Sequence, residues 1–184
     1  MTSAPEDRHD PGGRVRLRLP EGVTGTATFS ACGRYRQSLG RDWTPEGHAP
    51  RTVLFVGMNP SVADAAASDP TCHRELTFAR DWGFTRYLKG NVLDWRATSP
   101  RDLPAPDLAA SPANIPALVA MAEESALIVM AHGRLHARYS AIVAATTAAL
   151  VATGRPLRCF GRNKDGSPRH PLYLRRDAVL HPFP

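Results

Sequence analysis

The chain carries the run Thr52-Val53-Leu54-Phe55-Val56-Gly57-Met58-Asn59-Pro60-Ser61 at residues 52–61. Its first five residues are β-branched, aliphatic or aromatic, which is typical of a strand buried on both faces. The strand pattern ends abruptly at Gly57, and a polar turn follows it. Ligands of open α/β sheets bind beyond the carboxyl ends of the strands. The run therefore predicts a buried strand that leads directly into a ligand site.

The turn after this strand has residues that suit a ligand. Gly57 lets a ligand approach the main chain without a Cβ in the way. Asn59 offers an amide that both donates and accepts hydrogen bonds, and Pro60 restricts Asn59 to extended geometry. An ordinary turn between a strand and a loop favours the same residue types for local reasons. That second interpretation stays open from the sequence.

Strand and helix patterns alternate along most of the chain. Asp69 and Pro70 predict the start of a helix that stops at Gly83, since they suit the N-cap and the first helical position. Further helices are expected near residues 115–124 and 135–151. Strands are expected near residues 14–19, 24–30, 35–39, 52–57, 87–94, 126–131 and 157–160. This alternation predicts βαβ units, and so an α/β fold: a single-domain three-layer sandwich with a mostly parallel sheet.

Length and composition fit one globular domain. At 184 residues, with 42% hydrophobic and 22% charged residues, the chain can bury a sizeable core. We expect a disordered tail over residues 1–13, which are polar, and a single α/β domain over residues 14–184. The tail lacks the apolar core of a signal peptide, and no stretch has the length of a membrane span. We therefore expect a cytoplasmic protein without a membrane partner.

The three cysteines lie far apart, at Cys32, Cys72 and Cys159, and form no Cys-x-x-Cys pair. This spacing argues against a zinc or iron–sulfur site and suits a reducing compartment. His132 and His136 have the spacing of helical metal ligands, but Gly133 interrupts the helix pattern and no acidic third ligand is near. The sequence therefore predicts neither a metal nor a cofactor.

The chain has a net charge of +6, from 23 Lys and Arg against 17 Asp and Glu, and most of the cations are arginines. Arginine binds phosphate and stacks on bases, so a nucleobase, a nucleotide or a nucleic acid is the expected partner. In residues 14–19 arginines alternate with apolar residues. Such a row grips phosphates or forms the solvated face of an edge strand. Coding bias toward arginine would give the same composition.

Polar residues follow the predicted core strands, and we expect them to converge at one edge of the sheet. Asn59 and Ser61 follow the first, Asp94, Trp95 and Arg96 the second, and His132 the third. The fourth leads into a basic loop of residues 161–171 with Arg162, Lys164, Arg169 and His170, which can wrap an anion or be a generic turn. Of these residues, Trp95 can stack on a base, and His170 can act as a general acid or cap its turn.

Several segments resemble the domain-of-unknown-function family 1643, a family of small bacterial and phage proteins. They lie in residues 54–64, 69–71, 78–83, 96–98 and 164–173, and include the Gly57–Ser61 turn. The resemblance runs from about Arg34 to the C-terminus in the same order, and it implies no settled biochemistry. This chain has His132 where the family usually has Trp, and residues 91–95 replace a more apolar run.

A more distant resemblance is to the mismatch-specific branch of the uracil-DNA glycosylase superfamily. There a strand is followed by Gly-Ile-Asn-Pro-Gly, which is similar to Gly57–Ser61, and a late His-Pro pair is similar to His170-Pro171. A serine follows that pair in the superfamily, whereas Leu172 follows it here. The resemblance implies a uracil-DNA-glycosylase-like fold. It also implies that Asn59 orients an attacking water while His170 stabilises the departing base, around an oxocarbenium-like sugar.

These observations lead to one functional hypothesis and two alternatives. We expect a nucleobase- or nucleotide-binding protein that hydrolyses or transfers at an N-glycosidic bond, a glycosylase-like hydrolase with Asn59 and His170 as catalytic residues. The alternatives are a non-catalytic nucleic-acid-binding module that uses Arg14–Arg18 and Arg162–Arg169, and an enzyme of specialised metabolism with altered chemistry. The expected substrate-binding residues are Gly57, Met58, Pro60, Ser61, Asp94, Trp95, Arg96, His132, Arg162, Lys164 and Arg169.

Overall fold

The structure, a computed structural model, describes residues 15–183. Single turns of 3-10 helix lie at Pro100–Asp102, Ala137–Tyr139 and Pro171–Tyr173. The strands and α-helices follow one another along the chain as β1 (Leu17–Arg18), β2 (Thr24–Phe29), β3 (Arg36–Asp42), β4 (Thr52–Gly57), β5 (Ala67–Ser68), α1 (Pro70–Asp81), β6 (Arg86–Asn91), α2 (Pro106–Ala109), α3 (Asn114–Glu123), β7 (Leu127–Met130), α4 (Ser140–Ala152), β8 (Leu157–Cys159) and β9 (His181–Pro182).

Seven strands form one mixed sheet with the order β2-β3-β6-β4-β7-β8-β9. The central strand β4 pairs in parallel with β6 and β7, and β7 pairs in parallel with β8. The pairs β2–β3, β3–β6 and β8–β9 are antiparallel. The predicted α/β class is confirmed, but the sheet is mixed rather than mostly parallel. The connection between β2 and β3, residues 30–35, is too short for a parallel crossover, so these strands form an antiparallel pair.

Strand β4 is buried along its whole length, as the apolar run predicts. Its side chains alternate between two hydrophobic clusters, because successive residues of a strand point to opposite faces. Val53 and Phe55 pack in a cluster with Phe78 of α1. Leu54 and Val56 belong to a second cluster that contains residues of α3 and α4. The two faces of the sheet are thus packed against different helices.

Helix α1 begins and ends where the sequence predicts. The Asp69 carboxylate accepts a hydrogen bond from the Cys72 N–H at 2.7 Å, and Pro70 occupies the first turn. Gly83 follows the C-terminal end with a φ of +74°, a conformation that favours glycine. The helix predicted over residues 135–151 begins later, at Ser140. A separate 3-10 turn precedes it, because the His136 side chain accepts from the Arg138 N–H.

The N-terminal predictions are only partly covered by the structure. The predicted tail over residues 1–13 lies outside the described residues, as does Arg14. Within residues 15–19, the described part of the strand predicted over residues 14–19, only Leu17–Arg18 pairs, with β5, in a separate two-stranded sheet. Within residues 15–183 no helix combines the length and the apolar character needed to span a bilayer.

Gly90 sets the distance between β6 and α3. An alanine Cβ at this position would lie 2.2 Å from Leu118 Cδ2 and 2.9 Å from Met121 Cε. We expect Gly90→Ala to lower the free energy of unfolding by about 1–3 kcal/mol, because α3 must move away from the sheet. Urea denaturation measures this change.

The double variant Gly90→Ala with Leu118→Ala serves as the control for a direct clash. Removing the Leu118 methyl groups makes room for the new Cβ. The loss in the double variant should therefore be smaller than the sum of the two single losses. Additive losses would show that the two side chains do not clash.

Candidate functional site

A cavity of about 230 Å³ lies at the carboxyl ends of β4 and β6, beside the N-terminus of α1. This volume lies a little below the roughly 300–1,000 Å³ of sites for drug-sized ligands, so the cavity suits a small molecule or one end of a larger ligand. Most of the lining side chains are polar or charged. The cavity is lined by Arg36, Gly57, Met58, Asn59, Ser61, Asp69, Pro70, Thr71, Lys89, Asn91, Ala97, Thr98, Pro100, His170, Leu172 and Tyr173.

Asn59 is held in one orientation by the backbone around it. Its Nδ2 atom donates to the Pro60 carbonyl at 3.0 Å and to the Ala97 carbonyl at 2.8 Å. These two bonds use both amide hydrogens, so the side chain cannot exchange its oxygen and nitrogen without losing them. The Oδ1 atom is then the group through which Asn59 can accept a hydrogen bond from a water molecule or a ligand.

His170 is a neutral hydrogen-bond donor at pH 7. Its Nδ1 atom accepts from the Leu172 N–H at 3.4 Å, which caps the turn Pro171–Tyr173. Burial, together with the nearby Lys89 ammonium, lowers the pKa of His170 to about 4. A neutral imidazole that accepts at Nδ1 carries its proton on Nε2. His170 therefore caps its turn, as one interpretation of the sequence holds, and also offers an Nε2–H group.

A buried ion pair joins β6 to α1 beneath the cavity. Lys89 Nζ lies 2.7 Å from both carboxylate oxygens of Glu75, and the Tyr87 hydroxyl donates to the same carboxylate. Lys89 is 4% exposed and Glu75 is fully buried. Burial alone would lower the pKa of Lys89, but the Glu75 carboxylate outweighs it and the pKa is raised. Lys89 therefore stays charged although it is inside the protein.

Gly57 gives these groups room at the floor of the cavity. An alanine Cβ at position 57 would lie 2.8 Å from Asn91 Oδ1 and 2.9 Å from Lys89 Nζ. The Asn91 amide is 1% exposed, and neither its Oδ1 nor its Nδ2 has a hydrogen-bond partner among the described residues. A buried amide without partners is costly, and at a ligand site it is a group for the ligand to satisfy.

Asp94 and His132 do not line this cavity, although both follow core strands. Asp94 is fully buried, and its carboxylate accepts from the N–H and the hydroxyl of Ser111 at 2.7 and 2.5 Å. His132 Nδ1 donates to the Gly133 carbonyl at 2.7 Å. His132 lines a separate cavity with Leu135 and other residues. Asp94 thus holds the backbone at Ser111 in place, and His132 does not line the cavity that contains Asn59 and His170.

The cavity brings together five of the predicted residues, Gly57, Met58, Asn59, Ser61 and His170. The other predicted binding residues do not line this cavity, although Pro60 lies between two residues that do: Pro60, Trp95, Arg96, Arg162, Lys164 and Arg169. Their role in binding stays a prediction, as does the nucleic-acid-binding alternative. Two of the arginines on which this alternative depends have partners within the protein. The Arg16 guanidinium contacts the Asp64 carboxylate at 2.7 Å, and the Arg162 guanidinium lies 5.1 Å from the centre of the Phe183 ring.

The sequence interpretation missed the charged floor of the cavity. The sequence of β6 did contain a signal for this floor. Lys89 and Asn91 are two residues apart in a buried strand, so their side chains lie on the same face of the sheet. Glu75 is likewise the one acid that α1 buries. Across residues 15–183, no group of three or more His, Cys, Asp or Glu side chains is arranged to hold a metal ion.

Comparisons with known proteins identify a family but no function. The model of the family DUF1643, described as a protein of unknown function, matches residues 34–172. No curated protein and no solved structure matches the chain. The match includes the cavity turn, the ion pair and His170.

The low pKa of His170 makes stability depend on pH. In the unfolded chain this group takes up a proton below about pH 6.5, whereas in the folded state it does so only at about pH 4. Between these values the unfolded state binds more protons, so the free energy of unfolding falls as pH falls. At pH 5 we expect a loss of about 2 kcal/mol relative to pH 7.5.

The variant His170→Gln tests this dependence in urea denaturation at pH 5 and pH 7.5. The variant lacks the titrating group, so its stability should change less between the two pH values. Burial also lowers the pKa of His132, but that residue is present in both proteins and its effect cancels in the difference. Equal pH dependence in the two proteins would contradict the expectation.

The buried ion pair should be costly to break from one side. Lys89→Met leaves the Glu75 carboxylate buried without its counter-charge, and we expect a loss of about 3–5 kcal/mol in the free energy of unfolding. The double variant Lys89→Met with Glu75→Leu should be more stable than the single variant. The matched control is Arg176→Met, which breaks an exposed ion pair with Asp81 and should cost less than about 1 kcal/mol.

Proposed function

The chain belongs to the DUF1643 family of proteins of unknown function, and we propose that its cavity binds a nucleobase or nucleotide and hydrolyses or transfers the N-glycosidic bond. One observation carries this proposal. An asparagine with an oriented carbonyl oxygen, Asn59, and a histidine that is a neutral donor, His170, line the same small cavity.

Cleavage of an N-glycosidic bond can use these two groups. Its transition state resembles an oxocarbenium ion, and the base departs with the electron pair of the bond. Asn59 Oδ1 accepts a hydrogen bond from a water molecule and so positions its oxygen toward the sugar carbon. His170 Nε2–H donates to the base as negative charge develops on it. The water oxygen then bonds to the sugar carbon, and the proton it loses neutralises the base.

The buried cation at the cavity supports the same chemistry. The positive charge of Lys89 is held in place by Glu75, and it helps to keep His170 neutral. A fixed positive charge in a site shielded from water also stabilises an anionic leaving group. Both effects favour departure of a base as an anion.

The floor of the cavity suits recognition of a base edge. The Asn91 amide has an acceptor oxygen, Oδ1, and two donor hydrogens on Nδ2. Neither atom has a hydrogen-bond partner among the described residues. A nucleobase offers a complementary pair of donor and acceptor groups on its edge. The Gly57 turn supports this arrangement, since its missing Cβ lets the amide lie against the backbone.

We extend the proposal to the finer fold class. Packing of β4 against α1 on one face and against α3 and α4 on the other supports a three-layer sandwich. The resemblance of Gly57–Ser61 and His170-Pro171 to uracil-DNA glycosylases supports placing that sandwich with their superfamily. Catalysis by Asn59 and His170 follows from the same resemblance.

The test is release of free base from nucleosides, nucleotides and uracil- or mismatch-containing DNA, detected by mass spectrometry. The wild-type protein should release base from at least one of these substrates. Asn59→Ala and His170→Ala should each lower the rate by about 100-fold or more. Asn59→Ala should also lower the melting temperature slightly, because two backbone carbonyls lose a donor.

Two controls separate catalysis from folding. His136→Ala removes an exposed histidine outside the cavity and should leave the rate unchanged. His170→Gln keeps an N–H donor and should retain more activity than His170→Ala. Wild-type rates in both alanine variants, or no base released from any substrate, would mean that the proposed activity is wrong.

A further inference from the structure

Arg36 has a buried guanidinium with an open edge. The side chain is 1% exposed, and its Nη1 atom donates to the Ala63 carbonyl at 2.7 Å. Its Nε and Nη2 atoms are buried, and neither has a hydrogen-bond partner among residues 15–183. Arg36 also lines the cavity described above. A permanent charge with two unused donors is therefore enclosed beside a site of ligand size.

A second arginine of β3 shows that burial alone does not leave such an edge. Arg41 is also 1% exposed. Its Nη1 atom donates to the Gly40 carbonyl, and its Nη2 atom donates to the carbonyls of Asp64 and Ala67 at 2.7 and 2.8 Å. Arg41 does not line the cavity. The Nε atom is buried without a partner in both arginines, but only in Arg36 does the neighbouring Nη2 atom also lack one within residues 15–183.

The open edge of Arg36 has the geometry that binds oxyanions. Nε and Nη2 lie on one side of the planar guanidinium, and that side forms two parallel hydrogen bonds with a carboxylate or a phosphate. Leaving charged donors unpaired in the interior is costly, so a ligand that pairs with them gains a strong interaction. An oxyanion is the ligand group that this edge selects.

The surroundings of the open edge are mixed in charge. The Lys89 ammonium and the N-terminal turn of α1, with Thr71, line the same cavity, and both favour an anion. The Asp69 carboxylate also lines the cavity and opposes one, but it is engaged by the Cys72 N–H. Lys89 Nζ already contacts both carboxylate oxygens of Glu75. Among the described cations that line the cavity, Arg36 is therefore the one with nitrogen atoms left unpaired for a ligand.

We propose that Arg36 binds a phosphate group of the ligand and that the substrate is a nucleoside monophosphate. This inference rests on the proposed function for the choice of a nucleoside, and on Arg36 for the phosphate. A phosphodiester in DNA continues as a chain on both sides, whereas the unpaired edge of Arg36 is buried, so such a chain would have to enter the protein to reach that edge. A terminal phosphate can enter the cavity. The structure thus favours a free nucleotide over a nucleic acid.

The experiment compares a nucleoside monophosphate with the matching nucleoside by isothermal titration calorimetry. Inorganic phosphate, acetate and short single-stranded DNA are further ligands. The wild-type protein should bind the monophosphate roughly tenfold to hundredfold more tightly than the nucleoside, as expected for charge-assisted bonds to one arginine. Inorganic phosphate should compete with the monophosphate.

Three variants assign the preference to Arg36. Arg36→Met should abolish it and leave the melting temperature nearly unchanged, because removal of a buried charge with unpaired donors offsets the lost bond to the Ala63 carbonyl. Arg36→Lys keeps a charge but loses the paired bonds, and should retain a weaker preference; it also serves if Arg36→Met does not fold. Arg41→Met is the matched control. It should lower the melting temperature and, where it folds, leave the preference intact.

The outcomes separate this inference from the proposed function. Base release with equal affinity for nucleoside and monophosphate would overturn the phosphate site and leave the glycosidic activity standing. Arg36-dependent phosphate binding without base release would support the phosphate site and overturn that activity. Tighter binding of acetate than of phosphate, an unchanged preference in Arg36→Met, or tighter binding of DNA than of the monophosphate would each overturn the inference.

Discussion

The buried ion pair between Lys89 and Glu75 is the interaction on which the site depends. Taking both charges out of water is costly. The pair persists because Lys89 contacts both carboxylate oxygens of Glu75 and the Tyr87 hydroxyl donates to the same carboxylate. The pair ties the end of β6 to α1 and fixes a positive charge at the cavity floor. Burial, together with that charge, lowers the pKa of His170 and keeps the imidazole neutral.

Polar groups gather at the carboxyl end of the buried strand β4. Strand β4 is buried throughout, yet Arg36 and Asn91 line the cavity at its carboxyl end. The Nε and Nη2 atoms of Arg36 and both polar atoms of the Asn91 amide are buried without partners within residues 15–183. Such groups lower stability unless something binds them. Proteins depart from the rules of a well-satisfied interior mainly at functional sites. This is the physical reason to regard the cavity as a binding site.

Part of the site could be predicted from the sequence because it lies within one local segment. The turn from Gly57 to Ser61 follows its strand directly, so its position needs only the strand prediction. His170 required the further assumption that the last core strand ends at the same edge. The same assumption placed Asp94 and His132 in the site, but Asp94 binds Ser111 and His132 lines another cavity. A strand end alone does not determine where a side chain points.

The sequence by itself determined the local elements of this protein: the buried strand β4, the cap and the stop of α1, and the turn that carries Asn59. These features depend on apolar runs, caps and turn residues that act between near neighbours. Only the tertiary structure decided that Arg36, Lys89 and Glu75 would meet at that turn. They lie on β3, β6 and α1, and they come together because β3 pairs with β6 in the antiparallel sense and α1 packs on the same face. Pairings between distant segments follow from strand order, which no short stretch of the chain encodes.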